Sequence, residues 1–172
     1  MLAAVAGGNL QGVEAAYLLQ KAGWDVFVID RKPMVPAAGL CNSYVQLDVT
    51  SKKSLARVLK DVDLVIPALE NDAALACLDQ VTRSKGIPFA FDPAAYAISC
   101  SKIKSEQLFE RTAIPTPVRW PACKFPVVAK PDQGSGSRGV KICHHKTDLQ
   151  EILEQSNEQW LVQEFIPGPS YS

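Results

Sequence analysis

The sequence predicts an α/β protein in two parts, a parallel sheet flanked by helices and then a smaller α+β lobe. Short apolar runs alternate with amphipathic stretches over about the first half of the 172 residues, which is typical of βαβ units. The pattern then changes to a helical stretch that ends at the Pro-x-Pro segment Pro115–Pro117. Because such a segment must leave a helix in extended form, it marks a boundary between the two parts.

Five apolar runs in the first part are predicted strands of one small, doubly wound sheet. They are residues 1–6, 25–30, 44–48, 63–68 and 88–91. The amphipathic stretches between them, 10–23, 51–62 and 71–86, have the spacing of helices. Gly23 and Gly86 are predicted to end two of these helices, and Asn71 or Asp72 to cap the last one.

The second part is predicted to contain a short sheet and one further helix. A helical connector precedes it, and the predicted division of the chain is therefore 1–95, 96–117 and 118–172. The elements expected after the connector are a strand at 125–130, a glycine loop, a strand at 140–143, a helix at 147–155 and a strand at 160–166.

The composition excludes several classes of function. The 18 basic residues balance the 18 acidic ones, which argues against binding to nucleic acid or to a membrane surface through bulk charge. The five cysteines are scattered and form no C-x-x-C pair, so a reducing cytoplasm is expected. The N-terminal apolar run lacks a basic region before it, which indicates a first strand and not a signal peptide. No apolar run approaches the roughly 20 residues of a membrane span.

The stretch "AKPDQGSGSRGVKI" contains a glycine loop with the spacing of a dinucleotide-binding motif, Gly134-x-Gly136-x-x-Gly139. A Rossmann loop must join a strand to a helix, whereas this loop is followed by the short β-branched run "VKIC". A loop between two strands is the better prediction, and its amides would still suit phosphate groups, with Lys130 adding a charge. The alternative is an ordinary surface hairpin.

Two flanking stretches, "SKIKSEQLFERTAIPTP" and "LVQEFIPGPS", lie on either side of the lysine and the glycine loop. In this order the three elements resemble the ATP-grasp superfamily. The resemblance implies that two lysines and the loop contact the phosphates of ATP, and that the last strand hydrogen-bonds the adenine. The implied ATP-binding residues are Lys102, Lys130, Gly134, Ser135, Gly136, Ser137, Gly139, Gln163, Glu164, Phe165 and Ile166. Lys104 is expected on a solvated helix face. Ala113 stands where relatives usually have glycine, a penalty if positive φ is needed there.

The N-terminal stretch "AGGNLQGVEAAYLLQKAGWDVFVID" adds a tight strand-to-helix turn at Gly7, Gly8 and Gly12, and an acidic residue, Asp30, at the end of the second strand. An NAD-dependent enzyme is one hypothesis for this pattern, but the glycines do not have the G-x-G-x-x-G spacing. Together with "LDVTSK", "VIPALEND" and "FDPAAYAISCSKIKSEQLF", the stretch resembles the PylC family, the pyrrolysine-biosynthesis ligases.

That resemblance implies an ATP-dependent reaction and two further sites. Such a ligase phosphorylates the carboxylate of 3-methyl-D-ornithine, and the ε-amine of L-lysine then attacks the acyl phosphate to form an amide. The implied L-lysine site is Leu10, Gln11, Glu70 and Asn71. An additional nucleotide site would consist of Asn9, Asp30, Asp48 and Val49. Helix capping is the alternative for Glu70 and Asn71, and a turn is the alternative for Asp48.

The resemblance covers the whole chain but only about half of such an enzyme. The ligands of Mg²⁺ and the residues that hold the phosphorylated substrate are expected in a second half of the fold, so this chain alone is expected to be inactive. Cys143-His144-His145 is not expected to bind metal, because adjacent strand residues point to opposite faces. An exposed apolar flank at the Phe165 strand would favour a homodimer. The alternatives are an ATP-grasp enzyme with another amino-acid or purine-precursor substrate, and a non-catalytic nucleotide- or amino-acid-binding module.

Overall fold

The computed structural model describes residues 1–134 and 136–169 and divides into two compact units, Met1–Phe91 and Asp92–Ser172. The first unit contains a four-stranded parallel sheet and the second a three-stranded antiparallel sheet. The predicted fold class, a Rossmann-like sheet followed by an α+β lobe, is therefore confirmed.

The helices predicted as a connector lie in the second unit. They form two helices, and not one, because the chain leaves helical geometry at Ser101, whose φ and ψ are extended. The functional division at 95 and 117 stays a prediction.

The first unit alternates strands and helices. Its elements are β1 (Leu2–Ala6), α1 (Leu10–Lys21), β2 (Asp25–Asp30), a 3-10 helix (Pro36–Leu40), β3 (Ser43–Gln46), α2 (Lys52–Val58), β4 (Leu64–Pro67) and α3 (Asp72–Lys85). The strands pair in the order β3-β2-β1-β4, each parallel to its neighbour. Their carboxyl ends therefore lie along one edge of the sheet, where open α/β sheets bind ligands.

The prediction of a fifth strand in this sheet, at residues 88–91, is wrong. Of the described residues in that run, only Phe89 pairs with the sheet, through a single parallel bridge to Val65. Pro88 has no amide hydrogen to extend a ladder, and the Phe91 amide turns back to the carbonyl of Phe89.

Apolar side chains pack on both faces of the parallel sheet. One face buries Ala4, Phe27 and Ile29 against α2 and α3. The opposite face buries Val5 and Val28 against α1 and the 3-10 helix. Both faces being covered explains why these strands are continuously apolar and do not alternate with polar residues.

The predicted cap of α3 and both predicted glycine stops are confirmed. The Asn71 side chain accepts a hydrogen bond from the Ala74 amide at 2.9 Å. Gly86 follows α3 with φ 67°, and Gly23 follows α1 with φ 79°. Positive φ is strained for a side chain and free for glycine, which is why these positions can be identified from sequence.

The turn between β1 and α1 is a tightly packed backbone structure. A Cβ added to Gly12 would lie 2.1 Å from the carbonyl oxygen of Gly7, and one added to Gly7 would lie 2.3 Å from that of Ala68. A Cβ on Gly8 would be 2.2 Å from a methyl group of Val35. Close approach of the backbone therefore requires glycine at all three positions.

The second unit begins with the two connector helices, which are followed by the three strands and one helix of the lobe. Its elements are α4 (Pro93–Ser99), α5 (Lys102–Arg111), β5 (Val127–Pro131), β6 (Lys141–Cys143), α6 (Lys146–Glu154) and β7 (Trp160–Glu164). The sheet order is β6-β5-β7, and β5 is antiparallel to both neighbours. β7 ends two residues before the predicted Ile166, because the Phe165 amide bonds to Pro126 outside the ladder.

The outer side of β7 is partly covered by the residues that follow Pro115–Pro117. The Trp120 amide donates to the Val162 carbonyl at 3.0 Å, and the Glu164 amide donates to the Val118 carbonyl at 2.8 Å. The Glu164 carboxylate also accepts from the Val118 amide at 2.8 Å. This segment thus occupies backbone groups that an edge strand would otherwise expose.

Ala113 ends α5 in the left-handed conformation, with φ 56°. The next amide, that of Ile114, donates to the Phe109 carbonyl, as in a glycine-type helix end.

We expect Ala113→Gly to stabilise the second unit by about 0.5–1 kcal/mol, since relief of left-handed strain exceeds the entropy cost of glycine. Thermal unfolding measures the change. Ala97→Gly, at an exposed position inside α4, is the matched control and should destabilise by about 1 kcal/mol; equal effects of the two changes would contradict the prediction.

Candidate functional site

Asp132 joins the end of β5 to the start of α5. Its carboxylate accepts hydrogen bonds from the Ser101 hydroxyl and from the Ile103 amide, both at 2.8 Å. Its backbone carbonyl accepts from the Lys102 amide at 3.0 Å. The first turn of α5 is thereby held against the residue that precedes the glycine loop.

Lys102, the first residue of α5, points its ammonium group at the base of this loop. Its Nζ donates to the Gly134 carbonyl at 2.8 Å and lies 3.4 Å from the Asp132 carbonyl. The side chain is half-buried, whereas Lys104 on the same helix is exposed. The two connector lysines therefore differ in exposure, and contact of Lys102 with phosphate stays a prediction.

The glycine loop connects β5 and β6 through left-handed backbone conformations. Gly134, Gly136, Ser137 and Gly139 all have positive φ, and Ser135 lies outside the described residues. A Cβ on Gly134 or Gly136 would meet nothing within 4 Å, so glycine serves backbone conformation there, not packing. The predicted loop between two strands is confirmed; its role as a phosphate cover stays a prediction.

Lys130, on β5, belongs to a network of polar side chains. Its ammonium donates to the Gln163 side-chain oxygen at 2.9 Å, and the Gln163 side-chain nitrogen donates to the Glu106 carboxylate. Arg119 approaches the second oxygen of that carboxylate, with its Nε at 3.6 Å. Glu106 and Gln163 are each 3% exposed, whereas the Arg119 side chain is 39% exposed, so the network is buried at its centre and open at its Arg119 end.

Burial raises the pKa of the Glu106 carboxyl above its usual range, and repulsion from Glu110 adds to the rise. Arg119, the Gln163 hydrogen bond and Lys130 act in the opposite direction and do not cancel the effect of burial. One carboxylate oxygen, Oε2, has no hydrogen-bond partner. Glu106 is thus a buried acid whose charge is only partly compensated.

The strand register places an apolar surface beside Lys130. Val128 pairs with Ile142 of β6 on one side and with Gln163 of β7 on the other, so these side chains share a face of the sheet. Lys130, two residues after Val128, lies on the same face. Ile142 is 49% exposed. The face therefore offers a cation next to exposed apolar area, a combination that suits a phosphorylated planar ligand.

Several groups of the predicted adenine-binding run are engaged within the unit. Both ends of the Gln163 side chain are bonded, as described above. The amides of Glu164 and Phe165 donate to the Val118 and Pro126 carbonyls. Ile166 is 64% exposed. Adenine contacts by this run stay a prediction. The Gln163 side chain already forms hydrogen bonds to Lys130 and Glu106.

Sequence reasoning missed Glu106 and Asp132. Glu106 lies four residues after Lys102, on the same side of α5. This spacing was the one feature of the sequence that could have linked Glu106 to the site. Asp132 directly precedes the glycine loop but forms its bonds to residues about 30 positions away, which no local pattern reports.

The residues predicted to bind L-lysine lie at the carboxyl edge of the parallel sheet. Leu10 and Gln11 begin α1 directly after the β1 turn and are exposed. Glu70 and Asn71 follow β4, the neighbour of β1, and are also exposed. Asn71 caps α3, as the alternative interpretation required, and this bond uses only one lone pair of its side-chain oxygen.

The residues of the predicted additional nucleotide site follow β1, β2 and β3. Asn9 precedes α1 and makes no capping bond with its side chain. The Asp30 carboxylate accepts from the Gly8 amide, at 2.9 Å, and from the Lys32 amide. Bonds from Thr50 hold the pKa of Asp48 below its usual range, and the Val49 side chain is buried in the core. Asp30 and Asp48 therefore have clear roles in turns, and nucleotide binding by the four stays a prediction.

No metal site is built by the part of the chain that the structure describes: residues 1–134 and 136–169 contain no group of three or more His, Cys, Asp or Glu side chains arranged to hold an ion. Cys143 is buried, while His144 and His145 are exposed and stand next to the Asp148 carboxylate that caps α6. Within the same described ranges, no helix has both the length and the apolar character needed to cross a membrane.

Comparison with known proteins relates this geometry to a known domain. The sequence model of the ATP-grasp domain matches residues 100–172, from the start of the α5 region to the last residue. This segment is therefore similar to ATP-grasp domains. The matched segment contains the glycine loop, Lys102, Lys130 and the polar network from Lys130 to Arg119.

Relatives extend the resemblance to the first unit. The chain is 34% identical to the 3-methyl-D-ornithine--L-lysine ligase of Methanosarcina mazei over 163 residues, and 37% identical to that of Methanosarcina barkeri over 163 residues. These alignments cover 94% of this chain and 43% and 44% of the two ligases. The chain thus spans less than half of the length of these relatives.

A solved structure shows the same fold. The N5-carboxyaminoimidazole synthetase of Staphylococcus aureus in complex with ADP superimposes with a TM-score of 0.75 at 15% identity, over 96% of this chain and 47% of that one. The chain therefore shares its fold with about half of that solved protein.

Proposed function

We propose that the chain is part of an ATP-dependent carbon–nitrogen ligase of pyrrolysine biosynthesis that joins 3-methyl-D-ornithine to the ε-amine of L-lysine through an acyl phosphate. The two Methanosarcina relatives are named as ligases of 3-methyl-D-ornithine and L-lysine. The structural observation that supports the proposal most directly is the Lys102 ammonium held 2.8 Å from the Gly134 carbonyl, at the base of the glycine loop.

The residues of the second unit fit a nucleoside triphosphate. Lys102 and Lys130 supply two ammonium groups, and the loop supplies amides in left-handed conformations that can converge on phosphate oxygens. Val128 and Ile142 provide apolar area for a purine on the face that carries Lys130. ATP, when bound, would supply the phosphoryl group that activates a carboxylate. Mg²⁺ accompanies ATP in such reactions, but the described residues offer no ligand set for it.

The amine substrate would bind at the other unit. The exposed Glu70 carboxylate is suited to an ammonium group, and Leu10 and Gln11 follow the neighbouring strand. Asn9, Asp30, Asp48 and Val49 are proposed to line an additional nucleotide site at the same sheet edge. The scattered, unpaired cysteines support a cytoplasmic location. Exposed Ile166 after β7 supports a homodimer, which size-exclusion chromatography would detect.

Calorimetric titration with ATP and with L-lysine tests the binding half of this proposal. NAD is the control ligand, since binding of NAD without ATP would instead favour a dinucleotide enzyme. Failure of ATP to bind, with the chain folded by circular dichroism, would remove the nucleotide assignment.

Ligation itself is tested in a chimera that continues residues 1–172 with the remaining part of the Methanosarcina mazei ligase. We expect ADP and the amide product only when ATP, Mg²⁺, 3-methyl-D-ornithine and L-lysine are all present. ADP release that does not depend on L-lysine would reject the substrate assignment in favour of another acid or amine. A chain that binds ATP while its chimera stays inert beside an active parent enzyme would favour a non-catalytic binding module.

A further inference from the structure

Gln163 connects an acid to a base inside the second unit. Its side-chain nitrogen donates to Glu106 on α5, and its side-chain oxygen accepts from Lys130 on β5 at 2.9 Å. All three residues lie on different elements, and Gln163 follows Lys130 by 33 positions and Glu106 by 57 positions. The Gln163 side chain is almost fully buried, and its bond to Glu106 is buried while its bond to Lys130 is part-buried.

The direction of the Gln163 amide is set by the charge of Glu106. An ionised carboxylate only accepts hydrogen bonds, so the amide nitrogen must face Glu106 and the amide oxygen must face Lys130. A rotated amide would place its N–H groups against the Lys130 ammonium and leave the carboxylate without a donor. The Glu106 carboxylate thus fixes which end of Gln163 meets the lysine.

The resulting geometry leaves Lys130 prepared for an anion. An ammonium group has three N–H donors, and one of them is used by Gln163. The remaining donors are held in a fixed direction on the sheet face that also carries Val128 and Ile142. The surroundings of Glu106 are cationic on one side, with Arg119 at 3.6 Å, and acidic on its own helix, with Glu110 one turn later.

We propose that Glu106 is a positioning residue for the proposed ATP site, acting through Gln163 to hold the Lys130 ammonium in its phosphate-binding orientation. The inference rests on the proposed function, because Lys130 is assigned to the nucleotide there. Glu106 itself touches no phosphate in this proposal. Its contribution is the orientation of a cation that would otherwise sample several rotamers.

The first test is ATP affinity as a function of pH, measured by calorimetry on the wild-type chain and on Glu106→Leu and Glu106→Gln. We expect Glu106→Leu to weaken ATP binding about 10-fold at neutral pH, and Glu106→Gln to weaken it less because a glutamine oxygen can still accept. A protonated Glu106 can donate and so release the Gln163 amide. Wild-type affinity should therefore fall relative to Glu106→Leu as the pH is lowered through the pKa of Glu106, which lies above the usual value of about 4.3.

The matched control is Glu110→Gln, which removes an exposed carboxylate one turn along the same helix and should change affinity by less than about 2-fold. A second readout needs no nucleotide: the ¹⁵N signal of the Lys130 ammonium, whose exchange with water should be slowed by its part-buried bond to Gln163. We expect this signal in the wild type and in Glu110→Gln, and its loss in Glu106→Leu.

The outcomes separate the two proposals. If Lys130→Met and wild type bind ATP equally, the assignment of Lys130 to the nucleotide fails, and with it this inference. If Lys130→Met loses affinity while Glu106→Leu keeps it within 2-fold and keeps the ammonium signal, the ATP site stands and the positioning role of Glu106 is overturned. Should Glu106→Leu not fold, the wild type decides: an ATP affinity and a Lys130 ammonium signal that follow those of Glu110→Gln unchanged, as the pH is lowered through the pKa of Glu106, overturn the positioning role.

Discussion

Lys102→Met is expected to weaken ATP binding by about 10- to 100-fold, the value of a charge-assisted bond to a phosphate oxygen. The Lys102 ammonium is half-buried and lies at the base of the glycine loop, so its charge is screened less than that of a surface lysine. Calorimetric titration of the folded variant with ATP measures the loss.

Lys104→Met provides the comparison for this variant. Lys104 is exposed on the same helix, and its removal changes the net charge by the same amount. We expect less than about a 2-fold change in affinity. Equal losses in the two variants would mean that ATP responds only to the overall charge, and an unchanged affinity in Lys102→Met would remove this lysine from the site.

Gly12→Ala should destabilise the first unit by a net amount of about 1–2 kcal/mol, because forcing extra volume into a packed region costs up to about 3 kcal/mol. The added Cβ would lie 2.1 Å from the Gly7 carbonyl oxygen, a backbone atom that can move only with the whole β1 turn. The better helix propensity of alanine, worth about 1 kcal/mol, offsets only part of this cost. Urea denaturation followed by circular dichroism gives the change in the free energy of unfolding.

Gly39→Ala is the control for the glycine turn. Gly39 lies in the 3-10 helix, and a Cβ added there would meet nothing within 4 Å. Its free energy of unfolding should stay within about 0.5 kcal/mol of the wild type. A Gly12→Ala variant as stable as Gly39→Ala would show that the turn can relax, contrary to the packing argument.

Local signals explain why much of the fold could be predicted from sequence. The cap at Asn71 and the stops at Gly23 and Gly86 depend on the conformation of one or two residues, which the residue type determines. The run at 88–91 has the same apolar character as the true strands, yet Pro88 lacks the amide that would continue a ladder. Apolar character predicts burial, and pairing depends on backbone groups that composition does not reveal.

The candidate site was predictable to the extent that it follows a linear motif. Lys130 and the glycine loop are adjacent in sequence, and Lys102 begins a recognisable helix, so the order of the elements was enough to find them. Glu106 and Asp132 act through residues that are distant along the chain, and their partners become neighbours only when β5, β7 and α5 pack. A buried acid looks like any surface glutamate until that packing is known.

Because Asp132 caps α5, we expect the first turn of this helix to unfold together with the sheet. The first amides of a helix have no partner within it and usually exchange rapidly with water. Here the amides of Lys102 and Ile103 are bonded to Asp132, and that of Lys104 to the Ser101 hydroxyl. In hydrogen–deuterium exchange, Lys102 and Ile103 should therefore be protected together with the amides of β5, because both sets open in the same local unfolding event. The base of the glycine loop would then open only together with β5.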